Sequence, residues 1–198
     1  MKKRGKKQKF YMYVFRHGQT YFNKNKMFTG FKDSKLTPLG IKQAHIIAKK
    51  MKNKKFQVAF QTRLSRSKDT LKPVLKHHPE CKKILEDNRI IERSYGKLSG
   101  LHHKKIIEKY GQEQFDRWHR GFYNRPPKGE SFADVEKRVK SFIKYVTKFI
   151  KKKKVNVAIS AHGNSIRLFR KIMEKSSIKD TVSWFIPYDK VFVYTVEA

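Results

Sequence analysis

An α/β fold, with a mostly parallel central sheet flanked by helices, is what the sequence predicts, and three observations predict it. Short apolar runs able to form buried strands alternate with stretches of helical periodicity. Two of the runs end in a His-Gly pair, as Arg16-His17-Gly18-Gln19-Thr20 after residues 10–15 and Ala161-His162-Gly163-Asn164 after residues 155–159. Ligands bind beyond the carboxyl ends of the strands in such sheets, which is where both pairs fall.

The elements follow in order. Strands are expected at residues 10–15, 58–61, 155–160 and 191–196, with a weaker one at 84–85. Thr37-Pro38 supplies an N-cap and a proline at the first helical position, opening a helix to about Met51. A second helix is expected over 65–75. A third starts at Ser131, with Asp134 as its capping-box partner. Its apolar residues Phe132, Val135, Val139, Phe142, Ile143, Val146, Phe149 and Ile150 keep helical spacing, and lysines 151–154 suit its C-terminal dipole. Another helix is expected to open after Asn164. Residues 99–127, rich in charge and aromatics, interrupt the alternation and read as a helical cap beside the site.

Length and composition bound the rest. The chain has 198 residues, enough for one well-cored domain, expected over 10–198 behind a basic tail at 1–9. The net charge is +33, carried by 37 lysines and 12 arginines. Phosphate forks and base readers favour arginine, whereas these lysines are scattered along the whole chain. No specific nucleic-acid partner is therefore expected, only non-specific polyanion binding. Cys81 is the single cysteine, so neither a disulfide framework nor a cysteine metal cluster is expected. No apolar run reaches the length of a membrane span, and the basic start lacks the apolar stretch of a signal peptide. A cytoplasmic, metal-free protein is the expectation.

Two imidazoles beside fixed positive charge suit phosphoryl transfer. A neutral imidazole accepts a phosphoryl group when one nitrogen faces phosphorus and the other is held by a hydrogen bond. His17 is the expected nucleophile, with Arg16 able to fork onto phosphoryl oxygens and to disfavour imidazole protonation. Gly18 is expected to let backbone approach the anion closely. His162 is expected to donate to an equatorial oxygen, aided by free N–H groups of the helix after Asn164. His77, His78 and His102 read as surface histidines, and Phe115 and Phe122 as core.

With these residues in view, the chain resembles the histidine phosphatase superfamily, whose first motif is Arg-His-Gly followed by Glu or Gln and Ser or Thr. The resemblance sharpens toward the phosphoglycerate mutase branch of the 2,3-bisphosphoglycerate-dependent type. Arg16 through Asn23 are similar to that branch's opening motif, with Gln19 where glutamate is usual. Phe28-Thr29-Gly30-Phe31 resembles its Phe-Thr-Gly-Trp substrate loop, and Thr62 to Arg66 the segment carrying another phosphate-binding arginine. Ile91-Glu92-Arg93-Ser94-Tyr95-Gly96 resembles Glu-Arg-x-Tyr-Gly, which implies that Glu92 is the acid/base. Residues 109–114, Trp118, Arg120, Gly121 and Pro126-Pro127 resemble the mutase cap.

The resemblance implies a catalytic set of His17, Glu92, His162, Arg16 and Arg66. It implies substrate contacts from Gly18, Gln19, Thr20, Asn23, Thr29, Gly30, Arg93, Tyr95, His103, His119, Arg120, Gly163 and Asn164. A small phosphorylated metabolite is the implied partner, with 2,3-bisphosphoglycerate as priming donor for a mutase. In three places the chain departs from the branch. His103 stands where a lysine is usual, His119-Arg120 where paired arginines are, and the sequence ends at Ala198 just after its last expected strand. The insertion after Pro126-Pro127 that many mutases carry is also missing. A phosphoglycerate mutase is thus the first expectation and a phosphomonoesterase using the same intermediate the second. A non-catalytic basic polyanion-binding protein is the third.

Overall fold

The computed structural model describes residues 8–198, so most of the expected basic tail lies outside the described residues. The strands are β1 (Lys9–Arg16), β2 (Val58–Gln61), β3 (Lys83–Glu86), β4 (Val157–Ala161) and β5 (Val191–Glu197). The helices are α1 (Tyr21–Lys24), α2 (Pro38–Met51), α3 (Ser65–Leu75), α4 (His103–Tyr110), α5 (Gln112–Arg120), α6 (Phe132–Lys153), α7 (Gly163–Glu174) and α8 (Ile178–Ser183). They build one five-stranded sheet in the order β3-β2-β4-β1-β5. All neighbours are parallel except β5, which runs antiparallel to β1 at the edge.

Alternation along the strands feeds two cores. Met12 and Val14 of β1 and Val157 and Ile159 of β4 pack with Val135, Val139, Phe142 and Val146 of α6. Tyr13 and Phe15, with Ala158 of β4, face Ile47 and Met51 of α2 and Leu71 and Val74 of α3. Period-two side chains on a strand covered by helices on both sides give this three-layer arrangement, and near-continuous apolar runs are its mark.

Local chemistry set the helix starts where the sequence placed them. Thr37 accepts from Gly40 N at the head of α2, and Ser131 forms its capping box with Asp134 at the head of α6. β4 begins two residues later than expected. Lys154 ends α6 in a left-handed conformation, and Asn156 is held in a loop, accepting from Tyr11 N and donating to Lys55 O. β1 begins one residue earlier than expected, because Glu197 pairs with Lys9; Gln8 exchanges backbone hydrogen bonds with Ala198. Lys9 thus belongs to the sheet, and Gln8 is tied by its backbone to the residue after β5.

The cap is helical as expected. Phe28 is fully buried between Tyr95, His103 and Phe115, with ring centroids 4.4, 4.4 and 5.6 Å away. That aromatic cluster joins α4 and α5 to the loop that follows α1. No helix among the described residues is long and apolar enough to cross a membrane.

Candidate active site

The parallel β1–β4 ladder brings the two histidines together. Arg16 is in register with Ala161, so the next residues, His17 and His162, leave adjacent strands side by side. His17 N donates to Ala161 O at 3.1 Å, and the two rings lie 5.1 Å apart. Both are fully buried. Residues at the carboxyl ends of parallel strands, one per strand, converge in this way without any sequence proximity.

His17 Nδ1 lies 2.7 Å from Gly18 O, an acceptor only, so that nitrogen carries the proton and Nε2 keeps its lone pair. Burial, then the charges of Arg66 and Arg16, hold the ring's pKa well below the usual histidine value. His162 Nε2 pairs with Thr62 Oγ1 at 2.8 Å, leaving Nδ1 without a protein partner. Burial, then Arg66 and His17, lower its pKa likewise. Two neutral imidazoles result, each fixed through one nitrogen with the other free.

Glu92 completes the centre. Its Oε1 accepts from Arg93 N at 2.8 Å and Asn164 N at 3.1 Å. Donor atoms of His17, Glu92 and His162 lie within 4.8 Å of one another. Such a trio has the elements of a metal site, but Arg16 and Arg66 beside it disfavour a cation and favour an anion.

A cavity of about 160 Å³ opens over this centre, lined by Arg16, Asn23, Thr29, Glu92, Tyr95, His103, His119, Arg120, Gly163 and Asn164 among others. Each of these ten was expected from the sequence. Arg16, Arg120 and Arg167 make its wall cationic, against Glu92 as its one carboxylate. His103 and His119 add no charge near neutral pH. Burial, then Lys26, pulls His103 down to about 4, and burial, then Arg120, pulls His119 down to about 2.

The other expected residues sit around the pocket rather than on its wall. Arg66 is fully buried and gives NH1 to Lys32 O and NH2 to Gly30 O, holding the loop at residues 29–33. Its Nε has no protein partner, and burial lowers its pKa to about 10. Gly30 takes a φ of +54°, where a side chain would be strained. Arg93, fully buried, donates NH2 to Trp118 O and His119 O, anchoring the cap. Thr20 caps α1 through Asn23, and Gln19 Oε1 accepts from Thr37 Oγ1. Close approach at Gly18 serves packing: a Cβ there would collide with the Gly40 carbonyl of α2. The helix expected to open after Asn164 starts earlier, at Gly163 with His162 as its N-cap, and the N–H of Asn164 in its first turn is committed to Glu92.

His78 also departs from expectation. It is buried, tilted against Phe56 with ring centroids 4.3 Å apart, and paired with Glu80 at 2.8 Å.

Four contributors went unassigned in the sequence. Thr62 fixes His162, Arg167 lines the pocket, and Phe185 and Tyr188 form part of its wall. The run Trp184-Phe185-Ile186-Pro187-Tyr188, apolar yet without strand alternation, was the available signal for the last two.

The profile of the histidine phosphatase superfamily (branch 1) matches residues 12–197. The chain belongs to the histidine phosphatase superfamily. Among curated histidine phosphatase relatives, a 2,3-bisphosphoglycerate-dependent phosphoglycerate mutase of Cytophaga hutchinsonii is 35% identical over 84% of this chain and 78% of its own. A phosphoglycerate mutase of Schizosaccharomyces pombe is 37% identical over 77% and 74%. Solved structures share the fold at lower identity. Bacillus stearothermophilus YhfR superposes with a TM-score of 0.80 at 22% identity, covering 92% of this chain and 89% of that one. A mycobacterial glucosyl-3-phosphoglycerate phosphatase does so with 0.76 at 22%, covering 89% and 84%. Enzymatic phosphoryl chemistry is therefore the superfamily setting of the geometry above.

Proposed function

We propose that the protein is a phosphoglycerate mutase that interconverts 3-phosphoglycerate and 2-phosphoglycerate through a phosphohistidine on His17. The observation that carries the reading is the state of that ring: neutral, with Nδ1–H held by Gly18 O and the Nε2 lone pair free. Nε2 attacks phosphorus, the P–O bond to the substrate breaks, and Glu92 protonates the leaving oxygen. His162 Nδ1 and Arg16 stabilise the equatorial oxygens, where charge accumulates. With 2,3-bisphosphoglycerate in that step, phospho-His17 forms and 2-phosphoglycerate leaves; passing the phosphoryl group to the 2-hydroxyl of 3-phosphoglycerate runs the same steps backwards, with Glu92 taking the proton.

The cationic wall of Arg16, Arg120 and Arg167 fits a small substrate bearing a phosphate and a carboxylate. It also fits 2,3-bisphosphoglycerate, which supplies the first phosphoryl group for His17. Relatives named as mutases at 35% and 37% identity support this choice over other phosphoryl chemistries.

A phosphomonoesterase is the second reading, favoured by the uncharged state of His103 and His119 in the pocket wall. One assay separates the two. Supplied with 3-phosphoglycerate and trace 2,3-bisphosphoglycerate, the protein is expected to form 2-phosphoglycerate faster than inorganic phosphate, and His17→Ala neither. Phosphate release without isomerisation assigns the phosphatase. A wild type that forms no acid-labile phosphoenzyme with phosphoglycerates or p-nitrophenyl phosphate rejects both, leaving non-catalytic polyanion binding.

A further inference from the structure

Residues 184–188, between α8 and β5, are tied to both ends of the catalytic centre. Ile186 O accepts from Arg16 NH1 at 2.8 Å, so the segment holds the arginine beside His17. Trp184 O accepts from Arg167 Nε and NH2 at 2.8 and 2.7 Å. Arg167 NH1 in turn donates to Asn164 Oδ1, and Asn164 N donates to Glu92. One irregular segment thus braces the cation beside the nucleophile and, through Arg167 and Asn164, the carboxylate.

The segment's aromatic rings do more than fill space. Tyr188 lies with its ring centroid 3.9 Å from Arg16 Cζ and 6.5 Å from the His17 ring, meeting the latter edge-on. Phe185 stands 6.0 Å from Arg16 and 6.1 Å from Tyr188. Both rings line the pocket. The Gly163 backbone also comes up to the guanidinium: a Cβ there would stand 3.4 Å from Arg16 Cζ and Nε. A planar guanidinium under an aromatic face can neither rotate nor tilt freely, so its N–H edge keeps one direction.

We propose that Tyr188 is a positioning residue for Arg16 and the wall that keeps water off the phosphoryl group on His17. The inference rests on the phosphohistidine reading and concerns the fate of that intermediate. In hydrolysis a water oxygen attacks phosphorus, the P–Nε2 bond breaks with its electron pair returning to Nε2, and inorganic phosphate leaves with the water proton passed to Glu92. In transfer a substrate hydroxyl makes the same attack. Geometry and exclusion of water decide between the two acceptors. An aromatic wall over the nucleophile favours the bound hydroxyl.

The test uses the full chain as wild type, Tyr188→Ala, Tyr188→Phe and Tyr188→Leu, each phosphorylated with 32P-labelled 2,3-bisphosphoglycerate. Two quantities are read: the half-life of the phosphoenzyme in buffer, and its discharge to 3-phosphoglycerate. Losing the ring opens the wall and frees Arg16, so in Tyr188→Ala the half-life is expected to shorten about tenfold and the discharge to 3-phosphoglycerate to slow about tenfold, in line with one cation–π contact in a partly desolvated site. Tyr188→Phe keeps the ring and is expected to stay within about twofold of wild type by the same account. Tyr188→Leu keeps bulk without a π face and stands in should alanine fail to fold; it is expected to hold the half-life near that of wild type while its discharge to 3-phosphoglycerate slows as in alanine. A half-life unchanged in Tyr188→Ala, or a discharge slowed equally in Tyr188→Phe, overturns the role of Tyr188 alone. A wild type that never becomes phosphorylated overturns the phosphohistidine reading, and this inference with it.

Discussion

His17 and His162 are fully buried, and burial together with Arg66 lowers the pKa of both well below the ordinary value. The sign of the consequence is fixed. Below about pH 6.5 the unfolded chain protonates these rings and the folded one does not, so stability is full above that pH and is lost as the pH falls. Each ring costs up to about 1.4 kcal/mol per pH unit across that window. In phosphate-free buffer the urea midpoint is expected to fall from pH 7.5 to 5.5, while the NMR signals of both rings stay at their neutral positions. Rings that titrate near 6.5 would contradict the account of a neutral nucleophile. Legibility at this scale followed chemical identity. His17 and His162 could be picked out because reactive imidazoles end two apolar runs, whereas Glu92 was marked only by the family resemblance. Thr62, Arg167 and Tyr188 act through one hydrogen bond or one stacked face, which depends on distances no sequence spacing encodes.

Helix α5 shows how an element is hung on a single buried charge. Arg93 lies between the rings of Tyr95 and Phe132, at 4.5 and 4.3 Å, and donates to the carbonyls of Trp118 and His119 in the last turn of α5. A cation at a helix C-terminus meets the negative end of the dipole, and removing a buried donor leaves those carbonyls bare. Arg93→Gln is therefore expected to raise amide exchange across Gln112–Arg120 while β1 and β4 stay protected. KM for the phosphorylated substrate is expected to rise about tenfold, since His119 and Arg120 lose their fixed place, at a cost of about 1–3 kcal/mol. Unchanged exchange in α5 would show that the cap is held by its aromatic contacts alone. Element positions were legible where local chemistry marks them, as at Thr37 and Ser131. The shifted start of β4 was not, because Asn156 is fixed by backbone groups of Tyr11 and Lys55, far away in sequence.

Across the described residues, a mostly parallel sheet separates two poles, with His17 and His162 at one and the start of β1 and the loops leading into β2, β3 and β4 at the other. The second pole collects lysines: Lys9 on β1, Lys52, Lys54 and Lys55 before β2, Lys82 and Lys83 at β3, and lysines 151–154 before β4. None of them belongs to any ion pair found among the described residues. Asn156 draws these loops together, and a small polar cleft lies between Lys9 and Lys154, with Gln57 and Asn156 on its walls. Ten lysines from four separate stretches of the sequence thus share one end of the sheet, which composition could not reveal. Binding of a mixed-sequence single-stranded oligonucleotide is expected to be independent of sequence and steep in salt. Replacing Lys55, Lys82, Lys152 and Lys153 with glutamine is expected to lower the slope of log K against log salt by up to about 3, at roughly 0.7 per phosphate contact. The same exchange at Lys42, Lys105, Lys140 and Lys179, exposed on α2, α4, α6 and α8, removes equal charge from elsewhere and is expected to change the slope by less than half as much. If both sets weaken binding equally, net charge acts as a diffuse field and the fold has built no anion-binding pole. If the first set dominates, the arrangement of the parallel sheet has divided one excess of charge between two tasks, a buried arginine cluster for a small phosphate and an exposed lysine face for a large one.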